Sequence, residues 1–252
     1  MEIKVLDKGY VRLMGATPDA DLMVANAARA SFAKFSSVLT EAEVKLINFL
    51  ARENHLSPFR HAIVTLEIKA PVVLVGRQWF KYRVGSTHTD DSAQVLGQPN
   101  GDDGGDDLMQ GRNEMSRRYV TAEPEFHRPE SWRAAPANKK QGSGGRMPEA
   151  LSQEADRRFD DFMKVALANY DWAIENGFAP EQCRIFLPYV NMYTSWWWTA
   201  SLDGVFHFLR QRLGHDAQSE IRSYAEAVLK IMRLVAPIST RAMVDEKLRS
   251  VQ

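Results

Sequence analysis

The spacing of apolar side chains changes along the chain, and each change predicts an element. Thr40-Glu41-Ala42-Glu43 has capping-box spacing, and Val44, Ile47, Leu50 and Ala51 follow at helical intervals, so a helix is predicted from Glu41 to near Asn54. From Ala62 to Lys69 the period drops to two. Ala62, Val64, Leu66 and Ile68 share one face of a strand, Thr65, Glu67 and Lys69 the other, and Pro71 closes it. Val72, Val75, Trp79 and Tyr82 then return to helical spacing, predicting a helix over 72–83 whose other face carries Arg77, Gln78 and Lys81. Further on, Phe159, Phe162, Ala166, Tyr170 and Ile174 predict a long amphipathic helix over 149–176, with Gly177 placed as its C-terminal cap. Ile221, Ala225, Val228, Leu229 and Met232 predict a last helix from about Ala217 to Val235, stopped by Pro237.

Two stretches lack any period. Residues 87–112 contain Gly97-Gln-Pro-Asn-Gly-Asp-Asp-Gly-Gly-Asp-Asp107, almost devoid of apolar side chains, and are expected to be a flexible insertion. Residues 124–148, with Pro124, Pro129, Pro136, Pro148 and Gly142-Ser-Gly-Gly145, are expected to run over the surface. No internal repeat or linker divides the chain, so residues 1–252 are expected to form a single α+β domain.

Composition narrows the partners. The 32 basic and 32 acidic side chains cancel, so no overall field draws in nucleic acid or an anionic membrane, and any anion must be met locally. Cys183 is the only cysteine, which rules out an internal disulfide and a multi-cysteine zinc site and fits a reducing compartment. The first residues have acids between their bases and no apolar run, and no stretch has the roughly 20 apolar residues of a membrane span. A soluble, cytoplasmic, unprocessed protein is expected.

Familiar chemical signatures are missing. No Gly-x-Gly-x-x-Gly follows a strand, and neither a P-loop nor a Gly-x-Ser-x-Gly elbow is present. The histidines at 55, 61, 88, 127, 207 and 215 include no His-Glu-x-x-His pair, and Asp102 to Asp107 lacks EF-hand spacing, so no metal is expected. What stands out is arginine within apolar segments: Arg184 in Cys183-Arg-Ile-Phe-Leu-Pro188 and Arg212 in Phe206-His-Phe-Leu-Arg-Gln-Arg-Leu213. If buried, each needs an anion, either a ligand's or a local glutamate's; if not, it snorkels. Trp196, Trp197 and Trp198 face different sides of any element, so some belong in the core and one is left for a subunit contact or a ligand surface.

These residues resemble the flavin-dependent thymidylate synthase family. Its Arg-His-Arg signature, continuing into Ser, Asn-Glu, Ser and Arg-Tyr, is similar to Arg77-Gln-Trp-Phe-Lys-Tyr-Arg-Val-Gly-Ser86 and, beyond the insertion, to Asn113-Glu-Met-Ser-Arg-Arg-Tyr119. His55-Leu-Ser-Pro-Phe-Arg-His61, Arg184-Ile-Phe-Leu-Pro188 and Arg212-Leu-Gly-His-Asp-Ala-Gln-Ser-Glu-Ile221 resemble three further family segments, so the likeness runs from 55 to 221.

The resemblance implies the family fold, a central antiparallel-type sheet with long helices, assembled as a homotetramer whose subunits share each active site. It implies FAD as cofactor, with His55, Ser57, Lys81, Tyr82, Arg83, Glu114, Ser201 and His207 at flavin-contacting positions. It places Gln78, Lys81, Ser116, Arg117, Arg118, Arg184 and Arg212 at uridine-nucleotide-contacting positions, with Arg212 catalytic at the uracil edge and Ser116 positioning the base. The implied reaction is C5-methylation of dUMP to dTMP with methylenetetrahydrofolate as carbon donor and NADPH as reductant. A UMP or dual UMP/dUMP methylase, as in nucleoside-antibiotic pathways, is the close alternative, and a flavin- or nucleotide-binding protein without turnover the distant one.

The signature is altered. Lys81-Tyr82-Arg83 stands where Arg-His-Arg is usual, exchanging a bidentate fork for a point charge and an imidazole for a phenol. Asp203 lies where some members carry a base. Cys183 is expected to be structural.

Overall fold

The period-two segment becomes the middle of a sheet. In the computed structural model, which describes residues 1–80, 111–116, 123–136, 142–214 and 217–245, the strands are β1 (Glu2–Val5), β2 (Gly9–Ala16), β3 (Ile63–Pro71), β4 (Gly111–Glu114) and β5 (Tyr193–Ser201). They lie in the order β1-β2-β3-β5-β4 with every pairing antiparallel. Val64, Leu66, Ile68 and Ala70 pair with Ala200, Trp198, Trp196 and Thr194, and this whole row is buried. Each large apolar side chain so covered contributes about 1.5–3 kcal/mol before chain entropy is counted. The opposite face is polar: the hydroxyls of Thr65 and Thr199 lie 2.9 Å apart, and Arg12 bridges Glu2 and Glu67. Of the three consecutive tryptophans, Trp196 and Trp198 enter the core, and Trp197, turned to the other face by strand alternation, is 48% exposed.

Helices cover the apolar face. The helices among the described residues are α1 (Ala20–Arg29), α2 (Glu41–Arg52), the single turn α3 (Arg77–Trp79), α4 (Glu149–Glu175), α5 (Pro180–Cys183), α6 (Leu202–Arg212), α7 (Ser219–Val235) and α8 (Pro237–Thr240), with α7 packed directly against β1 and β2. The predicted α7 stripe, Ile221 to Met232, is buried throughout. At α2 the capping box forms as read: Thr40 Oγ1 accepts from the Ala42 amide at 3.2 Å, and the Glu43 carboxylate accepts from the Thr40 amide at 2.8 Å. These bonds, with those from the Thr40 and Ser36 hydroxyls, hold the Glu43 carboxyl down to about 2. Gly9 has a steric role: a Cβ there would meet the Tyr224 hydroxyl and lie 2.6 Å from the Lys69 carbonyl oxygen. No helix among the described residues is long and apolar enough to cross a membrane.

Several expectations change. Residues 72–79 do not form one regular helix. They make a π-turn, Val72–Gly76, and then α3, because the Val72 and Leu74 amides donate to the Met192 and Val190 carbonyls at 2.9 and 3.4 Å and tie the segment to the entry of β5. Lys81, Tyr82 and Arg83 lie outside the described residues. Gly111 and Arg112, assigned to the insertion, are instead strand residues paired with Thr199 and Trp198, while 87–110 lie outside the described residues. Strands β1 and β2 and helix α1 carry no pattern that predicted them. Helix α4 has the length expected, and Gly177 after it takes the left-handed φ of 77°. Its apolar stripe, however, is not covered by the described residues: only Ala166 and Ala173 are buried, whereas Phe162 and Ile174 are exposed.

Candidate functional site

One corner gathers the segments carrying Arg212, Gln78 and the β4 motif. Helix α6 starts directly from β5, with Ser201 Oγ accepting from the Gly204 amide at 3.2 Å as its N-cap. Eleven residues later it ends on Arg212, where a cation complements the helix dipole. Arg212 is 8% exposed, and its Nη2 donates to the Gln78 backbone carbonyl. The Gln78 side-chain amide donates to the Leu74 carbonyl at 3.3 Å and to Gln218 Oε1. Gln218 Nε2 donates in turn to Glu220 Oε2 at 2.8 Å, and Arg133 pairs with Glu220 Oε1. Burial alone would raise the Glu220 carboxyl. The bonds from Arg133, its own amide and Gln218 outweigh burial and keep it below its ordinary range.

The described parts of the motif's two halves, residues 77–80 and 113–116, belong to neighbouring segments here. Trp79 stacks on Phe208 at 4.2 Å between ring centres and stands edge-on to Trp196 and Trp198, closing the core under α3. On the other side of β5, the Arg112 guanidinium lies over the Phe80 ring at 3.9 Å, so β4 adjoins the end of α3. Glu114 accepts from Thr194 Oγ1 at 3.3 Å and pairs with Arg112. The Met115 amide donates to the Ser195 carbonyl at 2.8 Å, which carries the chain to Ser116, partly buried just beyond the strand. Arg117 and Arg118 lie outside the described residues.

Arg184 takes the case in which no buried anion is required. It is only partly buried, and its Nε donates to the Glu181 carbonyl one turn earlier at 3.1 Å, since the short α5 leaves its last carbonyls open to a nearby guanidinium. Cys183 beside it is buried, its thiol donating to the Phe178 carbonyl at 3.4 Å.

Of the flavin-type positions, Ser201, His207 and the segment carrying His55 and Ser57 lie around the other end of α6, whereas Glu114 lies on β4 and Lys81, Tyr82 and Arg83 are outside the described residues. The turn Ser57–Arg60 packs against this helix and is pinned by Arg60 Nε to Asp203 Oδ2 at 3.0 Å, with side chains 11% and 6% exposed. Ser57 is exposed at the head of the turn, and exposed His55 stands edge-on to Phe49 at 6.0 Å. Ser201 is buried. His207, half-buried one turn beyond Asp203, has its pKa lowered by burial and then by the charge of Arg210, so it is neutral at neutral pH. Sequence reasoning did not assign Arg60, Arg133, Gln218 or Glu220, although two of them lie inside the quoted Arg212-to-Ile221 segment.

A cavity of about 550 Å³ opens elsewhere, lined by Ala28, Arg29, Phe32, Lys34, Phe35 and Leu46, none of them assigned above. Among the described residues no cluster of three or more His, Cys, Asp or Glu side chains is placed to hold a metal ion.

A family model described as "Thymidylate synthase complementing protein" matches residues 12–238. The chain belongs to the flavin-dependent thymidylate synthase family. A flavin-dependent thymidylate synthase of Thermus thermophilus is 34% identical over 248 residues, covering 98% of this chain and 80% of that protein. One from Treponema pallidum is 34% identical over 252 residues, covering 98% of this chain and 73% of the relative. Among solved structures, a UMP/dUMP methylase from Streptomyces cacaoi bound with 5-Br dUMP has a TM-score of 0.72 at 24% identity, covering 95% of this chain and 96% of that one. The same methylase bound with 5-Br UMP gives a TM-score of 0.69 at 22% identity, covering 95% of each chain. The fold of this family is therefore the fold of this chain.

Proposed function

We propose that this family member methylates C5 of dUMP to give dTMP, using FAD, methylenetetrahydrofolate as carbon donor and NADPH as reductant. The observation that carries the reading is the buried guanidinium of Arg212, held by the Gln78 carbonyl in the corner where Phe80 adjoins β4. Uracil C5 becomes nucleophilic when charge moves through the ring from N3, and a fixed cation at the ring edge stabilises that charge without solvent reorganisation. Arg212 takes this role. Ser116 positions the base, and Gln78, Arg184, Lys81, Arg117 and Arg118 hold the rest of the nucleotide.

The residues around the start of α6 fit a flavin. Exposed Ser57 and His55 and half-buried His207 offer hydroxyl and imidazole groups, and Arg60 neutralises Asp203, so the acid does not oppose an anionic cofactor. With them, Lys81, Tyr82, Arg83, Glu114 and Ser201 would hold FAD. Bound FAD supplies the reducing step, as expected where a cofactor carries the difficult chemistry.

The exposed stripe of α4, with Leu151, Phe162, Val165 and Trp172 each more than half exposed, supports assembly as a homotetramer, because such a run is costly to leave in water. Sedimentation of the holoprotein should give a tetramer; a monomer would overturn this assembly. The free thiol of Cys183 supports a reducing, cytoplasmic setting.

A second reading, UMP or dual UMP/dUMP methylation, is favoured by the likeness to a UMP/dUMP methylase with both nucleotide types bound. Incubation with FAD, NADPH, methylenetetrahydrofolate and either dUMP or UMP decides between them. A methylated product from dUMP alone supports the first reading, product from UMP the second, and product from neither sinks both.

A further inference from the structure

The side chains leading away from Arg212 have an enforced direction. A carboxylate can only accept hydrogen bonds, so Glu220 requires the amide nitrogen of Gln218 to face it. The Gln218 carbonyl then points to Gln78, and both amide hydrogens of Gln78 are engaged, one by Gln218 and one by the Leu74 carbonyl. Gln78 in turn carries the backbone carbonyl that Arg212 grips. Reversing Gln218 would set its nitrogen against the Gln78 nitrogen and its oxygen against Glu220, and reversing Gln78 would set its oxygen against the Gln218 and Leu74 oxygens. The far end is also fixed. Arg133 sits in a clasp where it bridges Arg146, with the Ala134 and Gly144 amides bonding across it at 2.8 Å each.

We propose that Glu220 is a positioning residue for the nucleotide site: anchored by Arg133, it acts through Gln218 and Gln78 to fix the carbonyl that orients the Arg212 guanidinium. The inference rests on the reading of Arg212 as the group at the uracil edge. Glu220 itself touches no substrate. It lies in the first turn of α7, where the helix dipole favours its charge; it is 6% exposed, while the Arg133 side chain that pairs with it keeps 32% of its exposure, so only the carboxylate side of the pair is withdrawn from solvent.

Glu220→Gln keeps the shape but supplies a donor where two acceptors are needed, and Gln218→Met removes the link without touching a charge. Both variants, as holoproteins, should keep their flavin and their melting temperature within a few degrees. Each should bind dUMP about tenfold more weakly, followed by the flavin absorbance change, the equivalent of about 1.4 kcal/mol for a misdirected buried hydrogen bond. Because the two act in one chain, the double variant should be no worse than the poorer single one. Asp21→Asn serves as the structural control: it weakens a buried carboxylate that caps α8 through the Ile238 and Ser239 amides, and should lower the melting temperature while leaving dUMP affinity unchanged. If Glu220→Gln does not fold, Gln218→Met carries the test. Parental dUMP affinity in the Gln218→Met and Glu220→Gln proteins, alongside its loss in Arg212→Ala, would overturn the positioning role alone. Parental affinity in Arg212→Ala would remove the reading of Arg212, and the positioning role with it.

Discussion

The two ends of helix α6 are built on opposite principles. At its start the polar groups answer one another within the chain: Ser201 caps the Gly204 amide, and Asp203 is paired with Arg60. At its finish the charge is positive, with Arg210 and Arg212 in the last turn, and Arg212 is gripped by a peptide carbonyl. The helix dipole accounts for the signs at both ends. It does not account for the burial of Arg212, since an exposed cation would satisfy the dipole equally well. One end is an anchor and the other the proposed place to meet a nucleotide, separated by about 16 Å of helix.

Substitutions along α6 should separate these roles. Arg212→Ala should have the largest effect, lowering turnover about a thousandfold, the equivalent of about 4 kcal/mol for a preorganised charge-stabilising group. Flavin absorbance should persist in that variant, and turnover near the parental rate would remove the contrast between the ends. Asp203→Ala takes the carboxylate from a pair whose side chains are 11% and 6% exposed and should cost about 3 kcal/mol in urea unfolding. Unchanged stability would show that the pair does not anchor the helix. Ser201→Ala removes the cap and should cost about 1 kcal/mol by the same measurement.

The smallest effect is a pH dependence from His207, between the two ends. Its folded pKa lies below the usual 6.5. Well above the usual value the ring is neutral in both states. As pH falls through the usual value, the unfolded chain takes up a proton that the folded chain resists, so stability declines. His207→Gln should therefore lose less melting temperature than the parent between about pH 7.5 and about pH 5.5. An equal loss in both proteins would show that His207 does not titrate differently on folding.

What could be read from sequence follows from how local the cause was. The α2 capping box, the two faces of β3 and the α7 stripe each arise from side chains a few positions apart, and all three formed as expected. The π-turn before α3 did not arise this way. Its bonds run from Val72 and Leu74 to Met192 and Val190, partners more than a hundred positions away, which no periodicity records. The network from Arg212 to Arg133 was hidden for the same reason: Gln218 and Glu220 read as ordinary polar residues until Gln78 and Arg133 are brought beside them. Helix α4 gives the converse case. Its spacing correctly announced an apolar face, but spacing does not say whether the chain itself covers that face.

Ser201 is both the last residue of β5 and the cap of α6, so strand and helix meet without a joint. The strand is locked into the sheet along its whole length by β3, which makes α6 a cantilever: clamped at its root and able to yield only near its tip. Nucleotide binding at the tip should then stiffen the last turn and leave the root as it was. Hydrogen exchange would register this as slowed amides near Arg212, with those near Gly204 already slow in the absence of nucleotide.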